Sequence, residues 1–144
     1  MKKFKILTVL ATAIAIISLA SCVTKYDDLD YDNGTVYLRG AAGTTVNGTA
    51  IDWDTGVSFT WNSTDSVWEG TVVVSSTSYQ FKFFINGSYE QGSDTLDKIE
   101  DSTQKELFET VDDGYAGTNL TAKATGTYAF VVDLVNEATS VTKQ

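Results

Sequence analysis

The stretch that decides the fold is YQFKFFINGSYEQGSD, residues 79–94. In its first half, apolar side chains alternate with polar ones such as Lys82, which is the period of a strand that buries one face. Asn86 and Gly87 follow, a dipeptide that favours a two-residue type I′ hairpin turn. A short second strand then brings Tyr89 back beside the first. The stretch therefore predicts a β-hairpin with one apolar face and one face that carries a single lysine.

The rest of the chain has the composition of an antiparallel β protein. Glycine, serine, threonine and asparagine separate short runs rich in valine, aromatic residues and threonine, and the chain contains no proline. Because the strands have one apolar face each, two sheets can bury these faces against each other. We therefore predict an all-β fold, an immunoglobulin-like antiparallel β-sandwich, over residues 34–144. The predicted strands are residues 35–39, 57–61, 68–74, 79–85, 88–90, 127–134 and 138–142.

One segment departs from the strand pattern. In residues 93–111, apolar side chains such as Leu96, Ile99 and Leu107 recur at roughly helical spacing. We expect either a short helix or a long loop here, inserted between strands.

Residues 1–21 have the features of a bacterial lipoprotein signal peptide. Lys2, Lys3 and Lys5 precede an apolar run that is shorter than the ~20 residues a membrane span needs. The only cysteine of the chain, Cys22, stands where a lipobox requires the lipid-accepting thiol. Acyl chains on Cys22 would anchor the mature protein to a membrane surface. The alternative is a plain signal peptide followed by a chance cysteine.

Residues 22–33 are acidic and weakly apolar, and we interpret them as a flexible tether. Lys25 followed by Asp27 and Asp28 resembles the short acidic signal that sends some bacterial lipoproteins to the outer face of the outer membrane. A solvated linker has the same composition. We therefore expect a lipid-anchored protein of the bacterial outer membrane that faces the exterior. The aspartates do not make a calcium loop, because Arg39 stands where the last ligand should be a glutamate.

The composition removes several classes of function. The chain has no histidine, and lipidation would consume its one thiol, so the commonest general base, the usual nucleophile–base pairs and most zinc sites are missing. No carboxylate spacing points to a glycosidase, so we expect neither enzymatic activity nor a cofactor. The signal removes three of the ten basic residues and leaves seven against 19 acidic ones, which moves the net charge from −9 to −12. Such a charge argues against a nucleic-acid partner.

Five short motifs occur in an order that resembles two groups of starch-type binding modules. One group is the glycogen-binding module of the AMP-activated kinase β subunit; the other is the SusE/SusF-like outer-membrane starch-binding lipoproteins. The resemblance covers roughly the whole mature domain, although each motif is short. It implies binding of an α-glucan without cleavage, and it allows for a partner in an outer-membrane transport complex. The motifs are YLRGAAG (37–43), DWD (52–54), SVWEGTVVV (66–74), YQFKFFINGSY (79–89) and GTNLTAKATGTYAFVVDL (117–134).

Carried over by position, the resemblance implies a carbohydrate-binding site of four residues. Trp53 resembles the first stacking tryptophan, and Tyr89 stands where the glycogen module has its second. Lys82 resembles the lysine that reaches sugar hydroxyls, and Asn119 resembles the late asparagine that bonds a hydroxyl. The sequence departs from the family pattern in three places. Position 89 has tyrosine in place of tryptophan, and the interval between Tyr89 and Asn119 is longer than in the glycogen module. The approach to Trp53, TTVNGTAIDWD (44–54), is not the usual glycine-x-x-asparagine-x-tryptophan.

Three of these residues, Trp53, Lys82 and Asn119, also have a structural interpretation. An indole flanked by two aspartates favours exposure for Trp53, and the alternative is a partly buried loop anchor. Lys82 could extend to the edge of the sheet, and Asn119 could cap a turn. Trp61 and Trp68 lie inside alternating strands and are predicted to be core residues. The rival function is an exposed sandwich that binds another protein as a subunit or adhesin, since sheet edges and aromatic loops also serve protein partners.

Overall fold

The computed structural model describes residues 34–144. The predicted signal peptide (1–21), the lipidated Cys22 and the tether (22–33) lie outside the described residues and stay predictions. The elements are β1 Val36–Gly40, β2 Thr44–Val46, β3 Thr49–Ala50, β4 Val57–Ser58, β5 Thr60–Asn62, β6 Val67–Val74, β7 Gln80–Ile85, β8 Ser88–Tyr89, α1 Gly92–Asp97, α2 Ser102–Lys105, β9 Phe108–Asp112, β10 Thr118–Ala122, β11 Gly126–Asp133 and β12 Ala138–Lys143.

The strands form two six-stranded sheets. The first sheet has the order β4-β1-β7-β10-β9, with β8 added to β7. The second sheet has the order β12-β11-β6-β2-β3, with β5 added to β6. All of the described strand pairs are antiparallel, and the two sheets pack against each other through one shared apolar core. The prediction of an all-β antiparallel sandwich is confirmed.

The hairpin of β7 and β8 forms where the sequence predicts it. Phe84 pairs with Tyr89, and the two turn residues Asn86 and Gly87 have φ values of 50° and 84°, as a type I′ turn requires. The strand β7 is central in the first sheet because it pairs with β1 along one edge and with β10 along the other. Its inner face packs into the core, and its outer face lies in the middle of the surface of the first sheet that is turned away from the core.

Aromatic rings fill much of the space between the sheets. The ring of Phe130 lies 5.4 Å from that of Phe108 and 5.6 Å from that of Phe83, measured between centroids, at tilted or edge-to-face angles that favour aromatic pairs. The ring of Phe59 covers Gly70 so closely that a Cβ there would come within 2.6 Å of it. Position 70 therefore needs glycine. The other buried apolar residues are Val36, Leu38, Val46, Ile51, Val72, Val74, Phe81, Ile99, Leu120, Ala122, Tyr128, Val132 and Val141.

The predicted single strand at residues 57–61 was wrong. The chain changes sheets at the buried Phe59: β4 pairs with β1 in the first sheet, whereas β5 pairs with β6 in the second. The tryptophans predicted to be core residues, Trp61 and Trp68, are both half-buried and face each other across β5 and β6 with ring centroids 5.4 Å apart. Trp68 packs against the core.

The segment predicted as a short helix or long loop contains two short helices and the start of β9. Asp101 begins α2, because its side chain accepts hydrogen bonds from the backbone N–H groups of Thr103 and Gln104. The segment also covers the edge of β12: the carbonyl of Lys98 and the side chain of Gln104 accept the N–H groups of Thr139 and Val141. An otherwise open strand edge is thereby protected from pairing with another chain. No helix within residues 34–144 has the length and apolar character to cross a membrane.

Candidate functional site

Outward-facing side chains of β7 and β10 form the floor of a cleft on the first sheet. Gln80 and Lys82 come from β7, and Asn119 comes from β10. Lys82 and Asn119 are each only 6% exposed, although they lie on the face turned away from the core. The surrounding loops therefore cover this part of the sheet, and the polar groups at the bottom of the cleft are largely removed from water.

An ion pair holds Lys82 in place. Its Nζ donates a hydrogen bond to Oδ2 of Asp113 at 2.6 Å. The other carboxylate oxygen accepts the backbone N–H groups of Tyr115 at 2.7 Å and Gly117 at 2.9 Å. These hydrogen bonds lower the pKa of Asp113 to about 2. The bond from Lys82 has the largest effect, and the bond from the N–H of Tyr115 has the next largest. The ionised carboxylate thus joins the floor of the cleft to the turn after β9.

Amide side chains lie beside the ion pair. Asn119 Nδ2 donates to Gln80 Oε1 at 2.8 Å, so each residue orients the other. Their remaining groups, Asn119 Oδ1 and Gln80 Nε2, supply one acceptor and one donor for a ligand. Gln91 orders the adjacent wall, because its Oε1 accepts the N–H of Thr118 at 2.8 Å.

Trp53 stands on a loop that is fixed at its base. Ile51, two residues before Trp53, is buried in the core. One oxygen of Asp52 accepts the backbone N–H groups of Asp54, Thr55 and Gly56, at 2.9, 2.6 and 3.2 Å. These hydrogen bonds lower the pKa of Asp52 to about 2, and the bond from Thr55 has the largest effect, followed by the bond from Gly56. Trp53 itself is 40% exposed and belongs to the lining of the cleft.

Tyr89 supports the Trp53 loop and also offers a ring of its own. Its hydroxyl donates to the carbonyl of Trp53 at 2.8 Å and accepts from Nη1 of Arg39 at 3.3 Å. The ring meets Phe84 edge to face, and the cationic groups of Arg39 and Lys82 lie 5.5 and 5.9 Å from its centroid. It is still 43% exposed. Tyr89 therefore fixes the backbone of Trp53 without losing its own aromatic surface.

The structure brings all four predicted site residues, Trp53, Lys82, Tyr89 and Asn119, to this one cleft. Its volume is about 640 Å³, which is within the range of small-molecule sites. Its lining contains one cation and one anion, and these are paired with each other. Within the described part of the chain, no group of three or more potential metal ligands comes together.

Four further lining residues were not predicted from the sequence: Gln80, Gln91, Asp113 and Tyr115. Gln80 alternates with the inward phenylalanines of β7, so its outward direction was available from the pattern. Asp113 and Tyr115 lie in DDGYAG, where aspartates followed by glycine signal a turn. Nothing in that signal shows that the turn meets β7.

Fold and site together define a class: an all-β sandwich whose first sheet carries an aromatic-walled, polar-floored cleft on its outer face. No protein-family model, curated protein or solved structure matches the chain.

Proposed function

We propose that this protein is a non-catalytic lipoprotein that binds an α-glucan, starch or a glycogen-like polysaccharide, in the cleft of the first sheet. One observation carries the proposal. Trp53, Lys82, Tyr89 and Asn119, which the resemblance assigns to sugar binding, come from separate parts of the sequence and line the same cleft.

The side chains of the cleft suit the surface of a sugar chain. The C–H faces of glucose rings pack on aromatic π faces, and Trp53 and Tyr89 both offer exposed rings. Hydroxyl groups at the rim of the sugar need donors and acceptors. Asn119 Oδ1, Gln80 Nε2 and the unshared protons of Lys82 Nζ provide both kinds. A curved glucan fits two rings from separate elements better than one flat surface.

The charge of the cleft favours a neutral ligand. Among residues 34–144, Lys82 is the only cation in the lining, and the carboxylate of Asp113 pairs with it at 2.6 Å. An anionic ligand would have to compete with this carboxylate for the ammonium group, whereas a neutral glycan can use the remaining N–H donors without breaking the pair.

The same ion pair supports binding without cleavage. Glycoside hydrolysis generally needs two carboxyl groups, one of them with a raised pKa so that it can act as the acid. The part of the chain that the structure describes contributes one carboxyl group to the lining, that of Asp113, and its pKa is lowered to about 2. It already accepts hydrogen bonds from three partners.

Residues 1–33 supply the rest of the proposal. Acyl chains on Cys22 anchor the protein in the bacterial outer membrane, and the acidic tether holds the domain on the exterior. There the domain would retain polysaccharide near the cell, for transfer to an outer-membrane transport complex.

Affinity electrophoresis tests the glucan-binding function. In a native gel containing amylopectin, the wild-type protein is expected to be retarded relative to a gel without glucan, and Trp53→Ala is expected to run unretarded. Val135→Ala, at an exposed apolar position outside the cleft lining, is the matched control and should be retarded like the wild type. Equal mobility of the wild type with and without amylopectin would remove the glucan hypothesis.

The rival function, a protein-interaction subunit or adhesin, has one observation in its favour. The outer face of the second sheet carries a group of small uncharged side chains, and the exposed Glu69 lies beside them, opposite Val131. Recovery of a stoichiometric protein from envelope extract, and its loss on introducing Val73→Glu, would favour this function. The side chains are Thr45, Thr71, Val73, Ala129, Val131 and Thr142.

A further inference from the structure

The turn between β9 and β10 carries a ring that the sequence did not single out. Tyr115 is 92% exposed, and it belongs to the lining of the cleft. The Trp53 loop is bonded to Gly40 at the end of β1 through the carbonyl of Asp52. Since β1 lies on one side of β7 and β10 and β9 lie on the other, Trp53 and Tyr115 approach the floor from opposite sides.

The turn is held in a defined conformation. Asp112 Oδ1 accepts the N–H of Gly114 at 2.7 Å, and Asp113 fixes the N–H groups of Tyr115 and Gly117. Ala116 has a φ of 64°, a left-handed conformation that costs about 1 kcal/mol or more for a residue with a Cβ. Strain of this kind persists only where the surrounding contacts enforce it.

The turn is also packed against the wall of the cleft. A Cβ on Gly117 would overlap the side chains of Gln91 and Asp113, so the backbone comes as close to them as glycine permits. Through Asp113, the same turn is bonded to Lys82 on the floor. The position of the Tyr115 backbone is therefore tied to the residues that would meet the sugar.

We propose that Tyr115 forms a further subsite of the cleft, in which an additional glucose ring of the bound chain packs on the wall opposite Trp53. This inference rests on the proposed function of the cleft. Almost the whole side chain of Tyr115 is free to contact a ligand, whereas the protein already covers more than half of Trp53. A ring on each wall encloses a chain from two sides, so longer oligosaccharides gain contacts that short ones lack.

Calorimetric titration with maltotriose and maltoheptaose tests the subsite. Tyr115→Ala is expected to weaken maltoheptaose binding about threefold to tenfold, the worth of one aromatic stack, and to affect maltotriose less. Tyr115→Phe keeps the ring and should bind both as the wild type does. Since the side chain is exposed, both variants should keep the wild-type melting temperature, which shows that a loss of binding is not a loss of fold.

The outcomes separate the two proposals. If Tyr115→Ala binds maltoheptaose as tightly as the wild type while Trp53→Ala does not bind, the subsite is refuted and the glucan function stands. If the wild type binds neither oligosaccharide, the glucan function fails and the subsite fails with it.

Discussion

Two substitutions at Tyr89 separate its two contributions to the cleft. Tyr89→Phe removes the hydroxyl that donates to the Trp53 carbonyl at 2.8 Å and accepts from Arg39 at 3.3 Å, and it leaves the ring in place. Tyr89→Ala removes the ring as well. If the residue only supports the Trp53 loop, the two variants should behave alike; if its ring also contacts sugar, the second should lose much more affinity.

The structure gives the expected size of each effect. A neutral hydrogen bond contributes about 0.5–1.5 kcal/mol, and partial exposure to water places this one at the lower end, so we expect Tyr89→Phe to weaken binding about twofold to fivefold. The ring is 43% exposed. A fully buried tyrosine covers about 200 Å² of surface, so the exposed fraction of Tyr89 corresponds to roughly 90 Å² that a ligand can contact. Binding recovers only part of the roughly 2 kcal/mol that this area would give at about 25 cal/mol per Å², so Tyr89→Ala should lose about a further threefold to tenfold, the worth of one aromatic stack.

Calorimetric titration with maltoheptaose measures both changes, and urea denaturation of each variant controls for stability. Phe84→Leu serves as a second control, because it alters the edge-to-face neighbour of Tyr89 without touching the hydroxyl. The reasoning is refuted if Tyr89→Ala binds within about twofold of the wild type, since neither support nor stacking would then matter.

Two further predictions concern the core and pH. Phe130→Ala removes a buried ring from among Phe59, Phe83 and Phe108 and should lower the free energy of unfolding by about 3–5 kcal/mol in urea denaturation; a loss below about 1 kcal/mol would contradict the described core. Asp52 and Asp113 have folded-state pKa values of about 2, below the ordinary value of 3.8, so their stabilising contribution is present above pH ~4 and is lost as the pH falls towards 2. The contribution of these two groups to the free energy of unfolding should therefore stay constant from pH 7 to about pH 4 and fall below it in urea denaturation, and a loss centred near pH 6 would contradict these assignments.

The sequence predicts the fold best where strand and turn signals coincide. At residues 79–90 the alternation and the Asn-Gly turn agree, and the hairpin is found there. The same dipeptide at Asn47-Gly48 joins β2 to β3, with φ values of 49° and 83°, yet neither strand was predicted. Their short, threonine-rich flanks show little apolar contrast, so the alternation that marks a strand is missing.

Two errors have a common physical origin. The strand at residues 57–61 looked continuous because its side chains alternate, but alternation does not show that a chain passes from one sheet to the other, as it does at Phe59. Likewise, the apolar residues around Phe108 suggested helical spacing, while pairing with β10 makes residues 108–112 a strand. In both segments, pairing with distant strands determined the secondary structure, and the local sequence pattern did not.

The sequence predicted which residues belong to the site but not the contacts between them. A resemblance placed Trp53, Lys82, Tyr89 and Asn119 together, but it did not show what each one contacts. The partner of Lys82 comes from a turn 31 residues later in the chain, and the hydroxyl of Tyr89 reaches a carbonyl 36 residues earlier. Such contacts depend on strand order, which no periodicity encodes.

The most direct test of the account is a map of where an α-glucan touches the protein. In a ¹⁵N–¹H NMR titration with maltoheptaose, we predict chemical-shift changes concentrated at Trp53, including its indole N–H, and at Lys82, Tyr89 and Asn119. A titration that leaves these signals unmoved, or that shifts residues on the outer face of the second sheet instead, would contradict the claim that this cleft binds glucan.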